Sequence, residues 1–278
     1  MAQSEAGLVT SAAIVNTLEE NRAAGGPVLI HASLKSFRSL QNGAATLLDA
    51  LLTAGCTVVV PTFTGRFAVA PPEHLILDRN ANGHLAQSSE TAPRYDWTIR
   101  DADPDLGAFP KFVLDQRASV RGAHPLNSFA SLGPDASRIV GPGDAADVYA
   151  PIKRVIDLGG SIVLAGVGYY SMTLIHLAEC NSGRKLFRRW ALDRMGRVTE
   201  YEVGSCSVGF DKFKPVLDPI SIRTIVGASR WRVLDAQATL YAATAAIGAD
   251  PTITMCDNPE CLRCADQQAG GPTERPYA

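Results

Sequence analysis

Thr173, His176 and Glu179 stand three residues apart within Met172 to Cys180, a stretch with helical spacing, so their side chains climb one face of a helix. A carboxylate one turn from an imidazole can accept the proton of one ring nitrogen, fix the tautomer and leave the other nitrogen as a base near neutral pH. The same spacing equally describes a solvated helix pair. Just upstream, the strand-like run Ser161 to Ala165 leads into Gly166-Val167-Gly168-Tyr169-Tyr170-Ser171. A buried strand feeding a glycine turn and then a helix presents unpaired N–H groups to an anion or a developing oxyanion. Gly166-x-Gly168-x-x-Ser171 is only half a dinucleotide fingerprint, because the third small residue is Ser and no early strand, helix and acid surround it.

A second cluster is Arg121-Gly122-Ala123-His124-Pro125-Leu126-Asn127-Ser128-Phe129, where Pro125 disfavours helix at His124 and the stretch can project Arg, His, Asn and Ser toward phosphates. A surface turn with a proline stop reads the same way. The third is His31 with Ser33 and Ser36, at the carboxyl end of an early strand, the edge where open α/β sheets bind ligands. Cys256-x4-Cys261-x2-Cys264 has three thiols at zinc-like spacing but no nearby fourth ligand. No His follows position 176, so a tetrahedral site has to recruit Cys206 or a carboxylate such as Asp257, and packed, reduced thiols are the favoured reading. No Gly-x-Ser-x-Gly elbow signals serine hydrolysis.

The elements that must carry these residues follow from periodicity. Val9 to Arg22 predicts a helix capped by Thr10 or Ser11, and Gly25-Gly26-Pro27 breaks it. Val28 to Ile30 predicts a buried strand ending at His31, Gly43 to Ala54 a helix, and Thr57 to Val60 a strand stopped by Pro61. From residue 63 to 117 periodicity is lost under recurrent Pro, Gly, Asn and Asp, apart from a helix at Phe109 to Arg117; a loop region of that length inside a compact domain is usually functional or a binding cover. Short helices are expected at Asp135 to Val140 and Ile152 to Leu158, antiparallel strands within Trp190 to Val203 and Trp231 to Leu234, and a last helix at Gln237 to Ile247. One α/β domain over 1–278, with a mixed sheet and helices on both faces, accounts for this order.

Composition sets the bounds. With 26 Lys and Arg against 28 Asp and Glu, the net charge of −2 offers no general attraction to nucleic acid or anionic membranes. The amino-terminal Gln3, Ser4 and Glu5 lack the basic and apolar regions of a secretory signal, and no apolar run approaches membrane length, so a cytoplasmic protein without a membrane span is expected.

In their order along the chain, several segments resemble the aminoglycoside 3-N-acetyltransferase family, which is distinct from the commoner acetyltransferase fold built around a split sheet. They are Leu29-Ile30-His31-Ala32-Ser33-Leu34-Lys35-Ser36, Val60-Pro61-Thr62-Phe63-Thr64, Pro104-Asp105-Leu106-Gly107, Val120 to Pro125 with Ser128-Phe129, and Gly166-Val167-Gly168 with Thr173 to Glu179. The resemblance implies a three-layer α/β/α architecture around a mixed central sheet. It implies acetyl-CoA as cosubstrate, an amine of an aminoglycoside antibiotic as acceptor, and direct transfer with His176 as general base, Glu179 as its brace and Thr173 at the oxyanion. His31, Ser33, Leu34, Ser36, Arg121, His124, Ser128 and Phe129 are then expected along the pantetheine and phosphate channel. Where the family often carries Asp just before the Ser of the glycine turn, this chain has Tyr170, expected on the acceptor side. Asp78 and Asp96, with other acids of the irregular region such as Glu90, Asp101 and Asp103, are candidates to attract a polycation. No metal is expected, and a monomer or homodimer fits. Two other readings stay open: acetylation of a different small amine or amino sugar in biosynthesis, and a CoA-binding protein without catalysis.

Overall fold

The computed structural model describes residues 7–82 and 88–274. Residues 1–6, on which the reading of the amino terminus rests, lie outside that range. The strands are β1 (Pro27–Ala32), β2 (Thr57–Pro61), β3 (Ala68–Val69), β4 (Val120–Arg121), β5 (Phe129–Leu132), β6 (Ser161–Ala165), β7 (Phe187–Leu192), β8 (Val198–Val203), β9 (Ile222–Val226) and β10 (Ser229–Asp235). The helices are α1 (Ser11–Glu20), α2 (Ala44–Thr53), α3 (Ala108–Asp115), α4 (Ala136–Ile139), α5 (Ala150–Asp157), α6 (Leu174–Asn181), α7 (Lys214–Leu217), α8 (Ala236–Ala249) and α9 (Leu262–Gln268).

Seven strands form the main sheet in the order β4-β5-β2-β1-β6-β10-β9. Its centre, β2-β1-β6, is parallel, and the pairs added at each side are antiparallel. The central strands read as continuous apolar runs because both faces are covered. Alternation within them decides which face each residue serves. Val28 and Ile30 of β1 and Val163 and Ala165 of β6 point into a core shared with Ile14, Leu18, Leu47, Leu51, Phe109 and Val113 of α1, α2 and α3. Leu29, Ile162 and Leu164 point to the opposite core, filled by Ile152, Val155, Ile175, Leu217 and Ala243 of α5, α6, α7 and α8. The result is the expected three-layer α/β/α arrangement with a mixed sheet.

Several expected elements take sharper bounds. The first helix begins after Thr10, whose hydroxyl accepts from the Ala13 amide at 3.4 Å. The segment 63–117 holds more than loop: β3 pairs with β7, and with β8 these strands make a separate three-stranded antiparallel sheet. No described helix is long and apolar enough to cross a membrane.

Topology opens the site. The chain leaving β1 turns toward α2 on one face of the sheet, while the chain leaving the adjacent parallel strand β6 turns into α6 on the other face. Neighbouring strands whose following helices diverge in this way leave a crevice at their carboxyl ends. Gly166 makes the turn after β6 possible: its φ is +72°, and a Cβ there would lie 2.0 Å from Ser36 Oγ.

Candidate active site

Two clefts meet at one imidazole. The first, about 580 Å³, lies in the crevice at the ends of β1 and β6. It is walled by His31, Ser33, Leu34, Lys35, Tyr170 and Thr173. The second, about 700 Å³, is walled by the irregular segment and the small sheet, with Asp103, Asn127, Arg189, Trp190 and Ser205 among its lining residues. Phe63, Asp105, His176 and Ser207 line both.

His176 sits in the first half of α6, its side chain 11% exposed, and Nδ1 lies 2.8 Å from Glu179 Oε2. Three-residue spacing on a helix makes this contact local and therefore legible from sequence. Glu179 is 2% exposed and takes two further donors, Arg184 Nη1 at 2.7 Å and Ser205 Oγ at 2.9 and 3.1 Å. Burial alone raises its carboxyl, but the bonds and charges of His176 and Arg184, with Ser205, outweigh burial and hold it below the ordinary value. An ionised Glu179 accepts a hydrogen bond from Nδ1–H and so leaves Nε2 with the ring's free lone pair. Nε2 has no protein partner among the described residues, and the ring faces both clefts. Tyr149 stacks on the ring at 6.3 Å with 11° between planes, and Phe210 meets it edge-on at 4.8 Å. Gly204 completes the cage, since a Cβ there would lie 2.9 Å from His176 Cδ2 and 2.7 Å from the Tyr149 hydroxyl. The ring is thus locked in orientation.

At the entry to α6, the Ser171 and Met172 amides close a tight turn on the Gly168 and Tyr169 carbonyls, and the Ile175 and His176 amides bond Met172 and Thr173. The expected set of open backbone donors is accordingly smaller than the sequence suggests. Thr173 lines the first cleft, and its hydroxyl has no partner among the described residues.

The other expected positions divide sharply. His31, Ser33 and Leu34 line the first cleft. His31 is buried, its Nε2 has no hydrogen-bond partner among the described residues, and burial lowers it from 6.5 to about 4, so it is a neutral ring. Ser36 lies behind that wall: its hydroxyl joins the Ser33 carbonyl at 2.6 Å and Ser229 Oγ at 2.6 Å, stitching the turn to β10. Arg121, His124, Ser128 and Phe129 were expected on the channel and are instead internal. The Arg121 guanidinium donates to the Ile99 and Thr62 carbonyls at 2.6 and 2.7 Å, to Ser128 Oγ at 3.0 Å and to Thr64 Oγ1 at 3.1 Å. Four of its five N–H donors are thus spent on bridging the irregular segment to the sheet, inside the protein rather than on a phosphate. His124 Nδ1 accepts from the Leu126 and Asn127 amides, so Nε2 donates to the Glu202 carbonyl at 2.9 Å. Ser128 and Phe129 are each 1% exposed, and Phe129 packs in the core.

On the acid side, Asp78 pairs through its backbone with Thr273, and Asp96 pairs with Arg194 at 2.9 Å; neither lines a cleft. The acids that do are Asp103 and Asp105. Burial raises the Asp103 carboxyl, although the Gly65 amide donates to it at 2.9 Å. Tyr170 is half exposed and belongs to the first cleft rather than the second. Sequence reasoning did not single out Arg184, Ser205, Ser207, Tyr149 or Gly204. Their signal is spatial: Arg184 and Ser205 reach Glu179, Tyr149 and Gly204 reach His176, and Ser207 lines both clefts beside them.

Comparison with known proteins bears on this geometry. The chain is 31% identical over 161 residues to aminoglycoside N(3)-acetyltransferase IV of Salmonella, a match covering 56% of this chain and 52% of that relative. A match to aminoglycoside N(3)-acetyltransferase III of Serratia marcescens is 27% identical and covers 63% and 66% of the two chains. The matched part therefore spans only half to two thirds of these curated relatives. Among solved structures, the aminoglycoside acetyltransferase AAC(3)-IVa in complex with gentamicin superposes with a TM-score of 0.76 at 24% identity, covering 97% of this chain and 99% of that one. AAC-IIIb bound to CoASH gives 0.71 at 20% identity, covering 87% and 97%. The family model described as aminoglycoside 3-N-acetyltransferase matches residues 29–248, and the chain belongs to that family.

Proposed function

We propose that this protein transfers the acetyl group of acetyl-CoA to an amine of an aminoglycoside antibiotic, at the 3-N position by family kinship, with His176 as general base. The observation that carries the proposal is that His176, braced by Glu179, lines both clefts. The first cleft, at the carboxyl edge of the sheet with Lys35 exposed on its wall, suits the phosphates and pantetheine arm of the cosubstrate. The second, with Asp103 and Asp105, suits a cationic sugar. In support of the residue roles, the chemistry needs what the site holds. An ammonium has no lone pair, so the acceptor nitrogen must first give its proton to Nε2 of His176. That nitrogen then bonds to the thioester carbonyl carbon, whose oxygen gains negative charge within reach of the Thr173 hydroxyl. Collapse breaks the C–S bond, the imidazolium returns its proton to the departing thiolate, and the acylated nitrogen gives up its second proton to solvent, so that amide, thiol and one released proton are the products. Both substrates must be present together in this route. The same reading takes residues 1–278 as one domain and places the protein in the cytoplasm, where acetyl-CoA is made.

The test is thiol release from acetyl-CoA with a panel of aminoglycosides, wild type beside His176→Ala. Turnover with 2-deoxystreptamine drugs, lost in the variant while acetyl-CoA still binds, is the expected result. Turnover of simple amines alone overturns the acceptor assignment, and binding of acetyl-CoA without turnover of any amine overturns the enzymatic one.

A further inference from the structure

We propose that Cys206, Cys256, Cys261 and Cys264 together bind one zinc ion, which clamps the segment beside the active site to the carboxyl-terminal part of the chain. Cys206 follows β8, Cys256 lies in the loop after α8, Cys261 precedes α9 and Cys264 lies in its first turn. All four Sγ atoms are within 4.8 Å of one another. A zinc ion with four thiolates needs sulfur pairs about 3.8 Å apart, the tetrahedron edge that follows from a bond of about 2.3 Å. Cys256 and Cys264 already stand 3.6 Å apart, and the Cys256 amide points at Cys264 Sγ at 3.4 Å, a donor of the kind that supports a thiolate. The sequence offered three thiols at zinc-like spacing, and the fold brings the fourth from fifty positions upstream. Four sulfurs with no oxygen ligand select zinc or iron over harder metals.

A second observation explains why an ion is needed. Among the described residues, no apolar side chain between 254 and 268 is fully buried, so the stretch that carries three of the cysteines has no hydrophobic anchor of its own between Ile253, partly buried against the main core, and the buried Pro272. What docks it is polar: Lys212 reaches the Met255 carbonyl and Asp257, each at 2.8 Å, Asp266 accepts from the Ala81 amide at 2.7 Å, and Arg184 bonds Thr254 and the Pro251 carbonyl. Exposed contacts of this type contribute little, and segments too small to bury a core commonly rely on a metal or disulfides. Here the two sides also meet backbone to backbone, since a Cβ on Gly209 would lie 2.3 Å from the Met255 oxygen. The clamp has a functional address. Cys206 is flanked by Ser205, which bonds Glu179, and by Ser207, which lines both clefts.

Metal analysis of full-length protein, prepared without chelators or a polyhistidine tag from zinc-replete culture, tests this independently of any acetyl transfer. The expected result is one zinc per chain, released by an organomercurial, with cobalt(II) replacing it to give sulfur-to-metal charge transfer and tetrahedral d–d bands. Cys261→Ser should lose the metal and melt several degrees lower, while Cys56→Ser keeps it. Hydrogen exchange should quicken at 204–213 and 254–268 when wild type is stripped. Substoichiometric zinc with four freely titrating thiols, iron in place of zinc, or a Cys256–Cys264 disulfide in non-reduced digests each overturns the proposal, whether or not the protein acetylates an amine.

Discussion

Replacing Glu179 by Gln keeps the size of the side chain and removes its charge, which separates the two tasks assigned to it. The carboxylate receives His176, Arg184 and Ser205 while only 2% exposed. An amide retains one acceptor for these three donors and turns N–H groups toward at least one of them. Arg184, 12% exposed, then lacks its counter-charge; breaking such a pair from one side costs about 3–5 kcal/mol. Its remaining bonds to Thr254 and the Pro251 carbonyl place the expectation near the lower end, a fall in Tm on the order of 6–12 °C. The catalytic loss has a separate origin. Without the carboxylate, His176 loses both the acceptor that fixes its tautomer and the charge that stabilises the imidazolium, and general-base assistance is worth about 10²–10⁴ in rate. We expect kcat to fall about a thousandfold, equivalent to roughly 4 kcal/mol, with the KM for acetyl-CoA little changed. Thiol release measured well below the variant's Tm, with folding confirmed by circular dichroism, reads one quantity, and thermal melts read the other. A variant that melts earlier yet turns over at close to the wild-type rate would refute the braced-base reasoning and leave Glu179 a purely structural anchor.

Further outcomes follow from the same contacts. Gly204→Ala pushes a methyl against the His176 ring and the Tyr149 hydroxyl, and should lower kcat at least tenfold, at a stability cost of about 1–3 kcal/mol. Ser128→Ala removes a partner of the buried Arg121; it should cost about 1–3 kcal/mol in urea unfolding and leave the KM for acetyl-CoA unchanged, whereas a raised KM would return Ser128 to the channel. His31 and His124 are both lowered by burial from 6.5 to about 4. The unfolded chain therefore binds more protons than the folded one between those values, so stability falls as pH drops from 6.5 toward 4, by up to about 3 kcal/mol for each ring. Urea midpoints across this range should decline in wild type and flatten in His124→Asn; an unchanged slope refutes the assignment.

What sequence could show here depended on distance along the chain. The pair His176 and Glu179 was visible because a helix turns three residues into neighbours, and β1 and β6 because strands covered on both faces become apolar runs. The stretch from Arg121 to Phe129 misled for the opposite reason. Its polar residue types fit a phosphate grip, but their partners are Thr62, Thr64, Ile99 and Glu202, and nothing local announces those contacts. The short strands β4, β5 and β9 escaped because two to five residues carry too little alternation to read. Asp78 and Asp96 were reasonable acids in the right region, yet it is contacts distant in sequence, the Gly65 amide on the Asp103 carboxylate and the Asp103 amide on the Phe63 carbonyl, that hold Asp103 beside the cleft.

Phe63, Asp105, His176 and Ser207 belong to both chambers, so on the proposed function the two substrates would meet at the imidazole. An inhibitor built as a tether, with a pantetheine-like arm on one side and an amino sugar on the other, would bind each half at the effective concentration set by the other. Mutations that weaken its grip on either half would have to do so without spoiling the binding of the cosubstrate and acceptor proposed to meet there.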